Sequence, residues 1–492
     1  MKNSLLFVSF CLVFGATSAL ADGLDSSSKI SPWLRGKEDP TILIYMKDEA
    51  DFSSVNPSSP RAKRIKDVFN NLVETAKKSQ SELLSWLASQ NISARSYYIS
   101  NLIVADSVSP SQIKQIAERE DVLRIMGNPD IQNRLPSTTA PSTEFPKGPG
   151  ANIIRFGASK VWEDFKVTGE NIVIAGQDTG VDWDHKALKS HYRGWNGEKA
   201  DHSYSWHDSI HKSIGGNSSC GFNLSTPCDD HNHGTHTIGT VVGDDGLGNQ
   251  IGVAPGAKWI ACRNMDSGVG SPETYTECFQ WFLAPWPQKG DPIKDAKPEM
   301  APHVINNSWG CPSKEGCEGG EFERVLKALR AAGIFVVASA GNDGDSCSTI
   351  HDGPAFHSDL VLSVGAMNHR NDSIASFSSR GPSTWDKKVG PHVTAPGVNV
   401  RSSVSGGAYA EYGWSGTSMA GPHLVGLVAL LWSADKSLVG NISATEELIK
   451  DRAEPKTSSQ SCGGVSGSSL PNNTFGFGIS NAYDVIKSRV NR

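Results

Sequence analysis

Gly413-Trp414-Ser415-Gly416-Thr417-Ser418-Met419-Ala420-Gly421-Pro422-His423 runs straight into an apolar stretch, residues 424–432. The small residues make a tight turn, and the apolar run predicts a buried helix over 421–432. Ser418 stands where turn becomes helix. Unpaired backbone N–H groups and the positive end of the helix dipole gather at such a place. That setting suits a nucleophile whose substrate develops an oxyanion. A Ser/Thr cap on a core helix reads the same way in isolation, so the remainder of the chain has to decide.

Outward from this stretch, strand and helix patterns alternate from residue 151 onward. Strand patterns cover 171–176, 259–262, 303–307, 333–340 and 360–365, and helical patterns cover 234–242, 321–332 and 445–452. Repeated βα units predict an α/β fold with a doubly wound, mostly parallel sheet and helices on both faces. Ligands in such sheets sit beyond the carboxyl ends of the strands. Asp178, Ser308 and Asn342 fall at those ends.

Acyl transfer needs a nucleophile, a base and a carboxylate that orients the base. Asp178 follows the apolar run Ile172-Val173-Ile174-Ala175, where an unpaired carboxylate is costly. His233, in His231-Asn232-His233-Gly234-Thr235-His236, precedes an apolar helical stretch and is followed by a glycine that permits close approach. His236 reads as a structural histidine. No Glu lies among these histidines in the zinc-protease pattern. Asn342, in Ala340-Gly341-Asn342, offers an amide donor, and Ser308, Trp309 and Gly310 offer a strand edge on which an extended peptide can pair. Residues 243–248 are glycine-rich but lack the lysine of a phosphate loop.

The N-terminal part is organised differently. Residues 1–21 have the form of a secretory signal peptide, with Lys2, a short apolar stretch and Ala19-Leu20-Ala21. Residues 40–127 follow a β-α-β-β-α-β order, with a long amphipathic helix over 62–90 and Ser109-Pro110-Ser111-Gln112 as a helix start. A proline-rich stretch over 134–150 reads as an exposed linker open to proteolysis. No later segment reads as long and apolar enough to span a membrane. Apart from Cys11 in the signal segment, the cysteines are Cys220, Cys228, Cys262, Cys278, Cys311, Cys317, Cys347 and Cys462, an even set that suits disulfides in an exported chain. The pairs 220–228, 262–278, 311–317 and 347–462 are expected among many possible connectivities. Glycosylation sequons begin at Asn91, Asn217, Asn223, Asn371, Asn441 and Asn472; Asn306 also fits but is expected to be buried. A net charge of −6 with no Lys/Arg stripe argues against a nucleic-acid partner.

Together, Asp178-Thr179-Gly180, His233-Gly234-Thr235-His236, Asn306-Asn307-Ser308-Trp309-Gly310, Ala340-Gly341-Asn342 and Gly416-Thr417-Ser418-Met419-Ala420 resemble the subtilisin-like serine proteases in kind and order. The resemblance runs from about residue 151 to the end. The segment before Lys297-Pro298-Glu299-Met300 is most similar to the bacillopeptidase F-like branch. By that resemblance, Asp178 orients His233, His233 is the general base, Ser418 the nucleophile and Asn342 an oxyanion donor. Ser308, Trp309 and Gly310 then bind substrate backbone and wall the specificity pocket. Residues 22–135 become an inhibitory, ferredoxin-like propeptide that chaperones folding, 136–150 a linker at the processing site, and 151–492 the catalytic domain. The implied protein is a secreted, monomeric endopeptidase that processes itself. Its partners are protein or peptide substrates and its own propeptide, with no membrane or nucleic-acid partner. No cofactor is needed for the chemistry. Ala187 stands where the family often has a calcium-ligating Asp, so a structural calcium site is in question there. The long interval between Asp178 and His233 implies an extra loop, and Asp343 is expected to favour a basic substrate side chain. A catalytically silent binding module and a non-proteolytic hydrolase or transferase fit the same motifs.

Overall fold

Val173–Asp178, Val304–Asn307 and Phe335–Ser339 form the middle of the main sheet. Their Val- and Ile-rich runs are buried on both faces, as in a sheet covered by helices on each side. In this computed structural model, residues 28–133, 135–136, 142 and 147–490 are described. The expected signal peptide and most of the linker lie outside them. The sheet runs in the order Ser373–Ile374, Leu362–Asn368, Phe335–Ser339, Val304–Asn307, Val173–Asp178, Lys258–Arg263, Trp206–Asp208. Val393–Pro396 also pairs with Leu362–Asn368. All pairings are parallel except that of Ser373–Ile374. Asn307 lies opposite both Gln177 and Ala338, so the chain leaves three neighbouring strands along one edge. That register delivers Asp178, Ser308 and Asn342 to the same side.

The helix under this edge is Thr417–Ala434, four residues longer at its start than the apolar run predicts. It contains Pro422, which lacks the N–H that would bond the Ser418 carbonyl. Ser308 Oγ donates to that carbonyl instead, at 3.1 Å. The helix is long and apolar enough to cross a membrane, against the sequence expectation, but 89% of it is buried inside the protein. Its apolarity on all sides is that of a central core helix.

Residues 42–127 form a separate antiparallel sheet in the order Ala94–Tyr97, Leu102–Ala105, Ile42–Met46, Val122–Gly127. Ser109 and Gln112 make the expected capping box at the start of Pro110–Glu118. The long helix Arg61–Ser89 divides its apolar face. Leu83 and Leu87 pack under their own sheet, whereas Ile65, Val68, Phe69 and Leu72 join the core around Trp281, Phe282 and Leu329. Arg64 donates to the carbonyls of Arg330, Ala331 and Gly440. The module is thus docked on helices Pro272–Leu283 and Glu323–Ala332 by apolar contact, and Arg64 satisfies carbonyls at the end of the second.

The disulfides are Cys220–Cys228, Cys262–Cys278, Cys311–Cys317 and Cys347–Cys462, the pairs expected. The sequon asparagine Asn306 is buried, as expected, but so is Asn472. Asn472 donates to the carbonyls of Lys456 and Ser469 and accepts from Thr474 N, so its amide is committed to a turn.

Candidate active site

Asp178 ends its strand and turns at once through Thr179, whose N–H donates to Asp178 Oδ1 at 2.8 Å. The carboxylate then meets His233 Nδ1 at 2.7 Å through Oδ1 and 2.9 Å through Oδ2. Both side chains are buried, so the imidazole is oriented by a charge shielded from water. His233 opens helix His233–Val242, and this start is held by a residue that sequence reading passed over. Asp229 accepts from Asn232 N, Thr235 N and Thr179 Oγ1, so one carboxylate joins the two segments carrying Asp178 and His233. Its signal was an acid four residues ahead of the histidine, the spacing from which a carboxylate reaches free N–H groups of a first turn.

The expected loop between Asp178 and His233 is present and carries Cys220–Cys228. Arg263, fully buried, anchors it by donating to Gly221 O at 2.8 Å, Ser218 Oγ at 2.7 Å and Asp230 Oδ2 at 2.6 Å. His236 Nε2 donates to Val400 O and stacks on Trp414 with ring centroids 4.3 Å apart. Burial holds its pKa at about 3, so it is a neutral packing histidine.

Helix His233–Val242 packs against Thr417–Ala434, which carries Ser418 in its first turn. Ser418 Oγ donates to Ser308 O at 3.2 Å, and His233 Nε2 is buried with no hydrogen-bond partner. Asn342 Oδ1 accepts from Thr417 N at 2.9 Å and from Thr417 Oγ1 at 3.0 Å. With its oxygen so engaged, the amide presents its NH₂ beside the first turn of the helix.

Ser308, Trp309, Gly310, Gly341, Asn342 and Ser418 line one pocket. Ser308 and Trp309 are not the exposed edge that the sequence suggests: Trp309 is buried and stacks on Tyr275 with centroids 3.9 Å apart. The chain itself occupies the cleft. Ile131–Gln132 pairs antiparallel with Val269–Gly270, Asn133 N donates to Gly268 O at 3.0 Å, and Gly310 N donates to Asn133 Oδ1 at 3.1 Å. Asp343 also lines the pocket, but Lys314 Nζ lies 3.7 Å and His351 Nε2 3.4 Å from its carboxylate, so its charge is already matched. Ala187 is buried in an apolar cluster with Ile251 and Tyr409. Asp343, His351 and Asp352 could jointly offer ligand atoms to a cation.

A parallel sheet with a carboxylate–imidazole pair and a helix-borne serine at its carboxyl edge defines a class of α/β hydrolytic folds. Within that class the chain belongs to the subtilase family, whose model matches residues 169–478. It is 33% identical to bacillopeptidase F of Bacillus subtilis (strain 168) over 94% of this chain and 32% of that protein. It is 30% identical to subtilisin E of the same strain over 58% of this chain and 60% of the relative. Serine protease AprX, also of Bacillus subtilis (strain 168), is 26% identical over 70% of this chain and 72% of its own length. The matched region thus spans about a third of bacillopeptidase F and three fifths of subtilisin E.

Proposed function

We propose that the protein is a secreted serine endopeptidase, made as a self-processing precursor. The observation that carries this reading is the buried Asp178–His233 pair with an unpartnered Nε2, on a helix packed against the one that carries Ser418. Ser418 Oγ attacks the scissile carbonyl as its proton passes to His233 Nε2, after release from Ser308 O. The imidazolium so formed is stabilised by Asp178. Negative charge on the carbonyl oxygen is met by the Asn342 amide and by the Ser418 backbone N–H, one of the donors left free at a helix start. His233 then returns the proton to the leaving amine, and water hydrolyses the acyl-enzyme with the same base.

In this reading residues 22–135 are the propeptide, with the split β-α-β ferredoxin-like arrangement, and Ile131, Gln132 and Asn133 lie in the cleft as a substrate does. The antiparallel pairing of Ile131–Gln132 with Val269–Gly270 supports that role. Intact mass of the secreted wild type beside Ser418→Ala tests it. Loss of about the first 110–130 post-signal residues in the wild type alone supports self-cleavage at an exposed linker. Full length in both sinks it. Equal trimming of both removes the self-processing claim and leaves labelling of Ser418 by a serine-directed phosphonate as the test of catalysis.

A further inference from the structure

Among the described acids that line this pocket, Asp352 is the one with an enclosed oxygen that accepts no hydrogen bond. It lines the cavity with Ser308, Gly310, Asn342 and Ser418. A methyl added at Gly310 would come within 3.0 Å of its Oδ2, so the carboxylate lies against the residue whose N–H donates to Asn133. Its Oδ1 is enclosed and accepts no hydrogen bond, with His351 Nε2 the nearest cation at 3.5 Å. Asp343, by contrast, is paired with both Lys314 and His351. An enclosed carboxylate oxygen without a donor is costly unless something that enters the pocket supplies one. The pocket lies beside the proposed nucleophile, so what enters is the substrate side chain preceding the scissile bond. A guanidinium brings several N–H donors and the matching charge, and an ammonium brings the charge.

Resting on the peptidase reading above, we infer that Asp352 is a specificity-determining residue, and that the enzyme cleaves after arginine or lysine. The chain's own sequence agrees. The residue that follows Asn133, whose N–H donates to the cleft strand, is Arg134, in sequence the only basic residue between Gln132 and Lys147. Leu135 also lines the pocket, so a leucine preference is the rival outcome.

The test uses matured wild type and Asp352→Asn, with active sites counted by phosphonate labelling, against peptides that differ only in arginine, lysine, leucine or phenylalanine before the scissile bond. Wild type is expected to prefer arginine and lysine, and its N-terminus to be Leu135, which sets the end of the propeptide at Arg134 rather than at residue 135. Asp352→Asn is expected to lose about 30-fold or more in kcat/KM on the basic peptides, the range for removing one partner of a buried charge pair, while leucine and phenylalanine peptides hold or gain. Preference of the wild type for leucine or phenylalanine overturns the inference, and that result stands even where the variant fails to mature. An equal loss on all four peptides also overturns it, by marking Asp352 as structural. So does saturable calcium or zinc binding by wild type, absent in Asp352→Asn, that abolishes the basic preference. Failure of Ser418 to label overturns the peptidase reading instead, and the two failures are thereby told apart.

Discussion

A methyl group added at Gly234 would lie 2.0 Å from the Gly180 carbonyl oxygen and 3.0 Å from Asp178 Cβ. Gly180 has φ +115°, and a side chain there would meet Cys228 O at 1.8 Å. The two glycines therefore let the Asp178 turn and the His233 helix touch backbone to backbone, which is what brings Oδ1 within 2.7 Å of Nδ1. Gly234→Ala is expected to shift His233 and cost about 10²-fold in kcat, the scale of a misplacement of about 1 Å. Steady-state kinetics on the folded, phosphonate-labelled fraction checks it; an unchanged kcat refutes the packing argument. Asn342→Ala is expected to lower kcat by about 10²–10³ with little change in KM, because the lost bond is made to the developing oxyanion. A change confined to KM assigns Asn342 to ground-state binding. The motif residues were legible in sequence because their chemistry dictates residue type. Asp229 and Asp352 were not, since the first acts through backbone donors and the second through a pocket that exists only after folding.

At the scale of elements, helix Pro272–Leu283 was missed for a physical reason. It is buried almost all round, between the sheet and the N-terminal module, so no polar stripe marks its period. Its one clear signal was Ser271-Pro272-Glu273-Thr274, which forms a capping box in the structure. The helix carries Glu277, hydrogen-bonded to His207 at 2.8 Å, to His211 at 2.9 Å and to the Tyr97 hydroxyl at 3.0 Å. Burial opposes ionisation of Glu277, but the bonds from His207 and His211 outweigh it and hold the carboxyl at about 2. Partial desolvation opposes protonation of the half-exposed His211, and Glu277 overrides it to raise the imidazole to about 9. Glu277 therefore contributes stability above its ordinary 4.5, lost as pH falls toward 2. His211 contributes below its ordinary 6.5, lost as pH rises toward 9. The difference in melting temperature between wild type and Glu277→Gln is expected to be largest between about pH 4.5 and 6.5 and to shrink on both sides. A difference that does not vary with pH refutes the coupling.

Across the whole molecule, the N-terminal sheet carries no cysteine and is held by packing, while the larger unit is cross-linked. Its cross-links differ in reach. Cys311–Cys317 closes a separation of 6 residues and Cys220–Cys228 one of 8, whereas Cys347–Cys462 spans 115. The short ones shape local walls: Pro312, Lys314 and Glu315, within the first loop, line the pocket beside Ser418. The long one ties the loop after Asn342 to the C-terminal segment, where Gln460 also accepts from Arg380 Nε at 3.2 Å. A disulfide acts mainly on the unfolded chain, by an amount that grows with the logarithm of the closed loop. For these separations the chain-entropy relation gives about 5 kcal/mol for the long bridge and about 2 kcal/mol for the shortest. Urea unfolding of Cys347→Ser/Cys462→Ser and Cys311→Ser/Cys317→Ser, each in a Ser418→Ala background to prevent self-digestion, is expected to show losses in that order. The short-bridge pair is expected to cost less stability than the long one but to change substrate preference when Ser418 is restored. Equal losses in stability would mean that native contacts around the long bridge, rather than the freedom it removes from the unfolded chain, set its contribution.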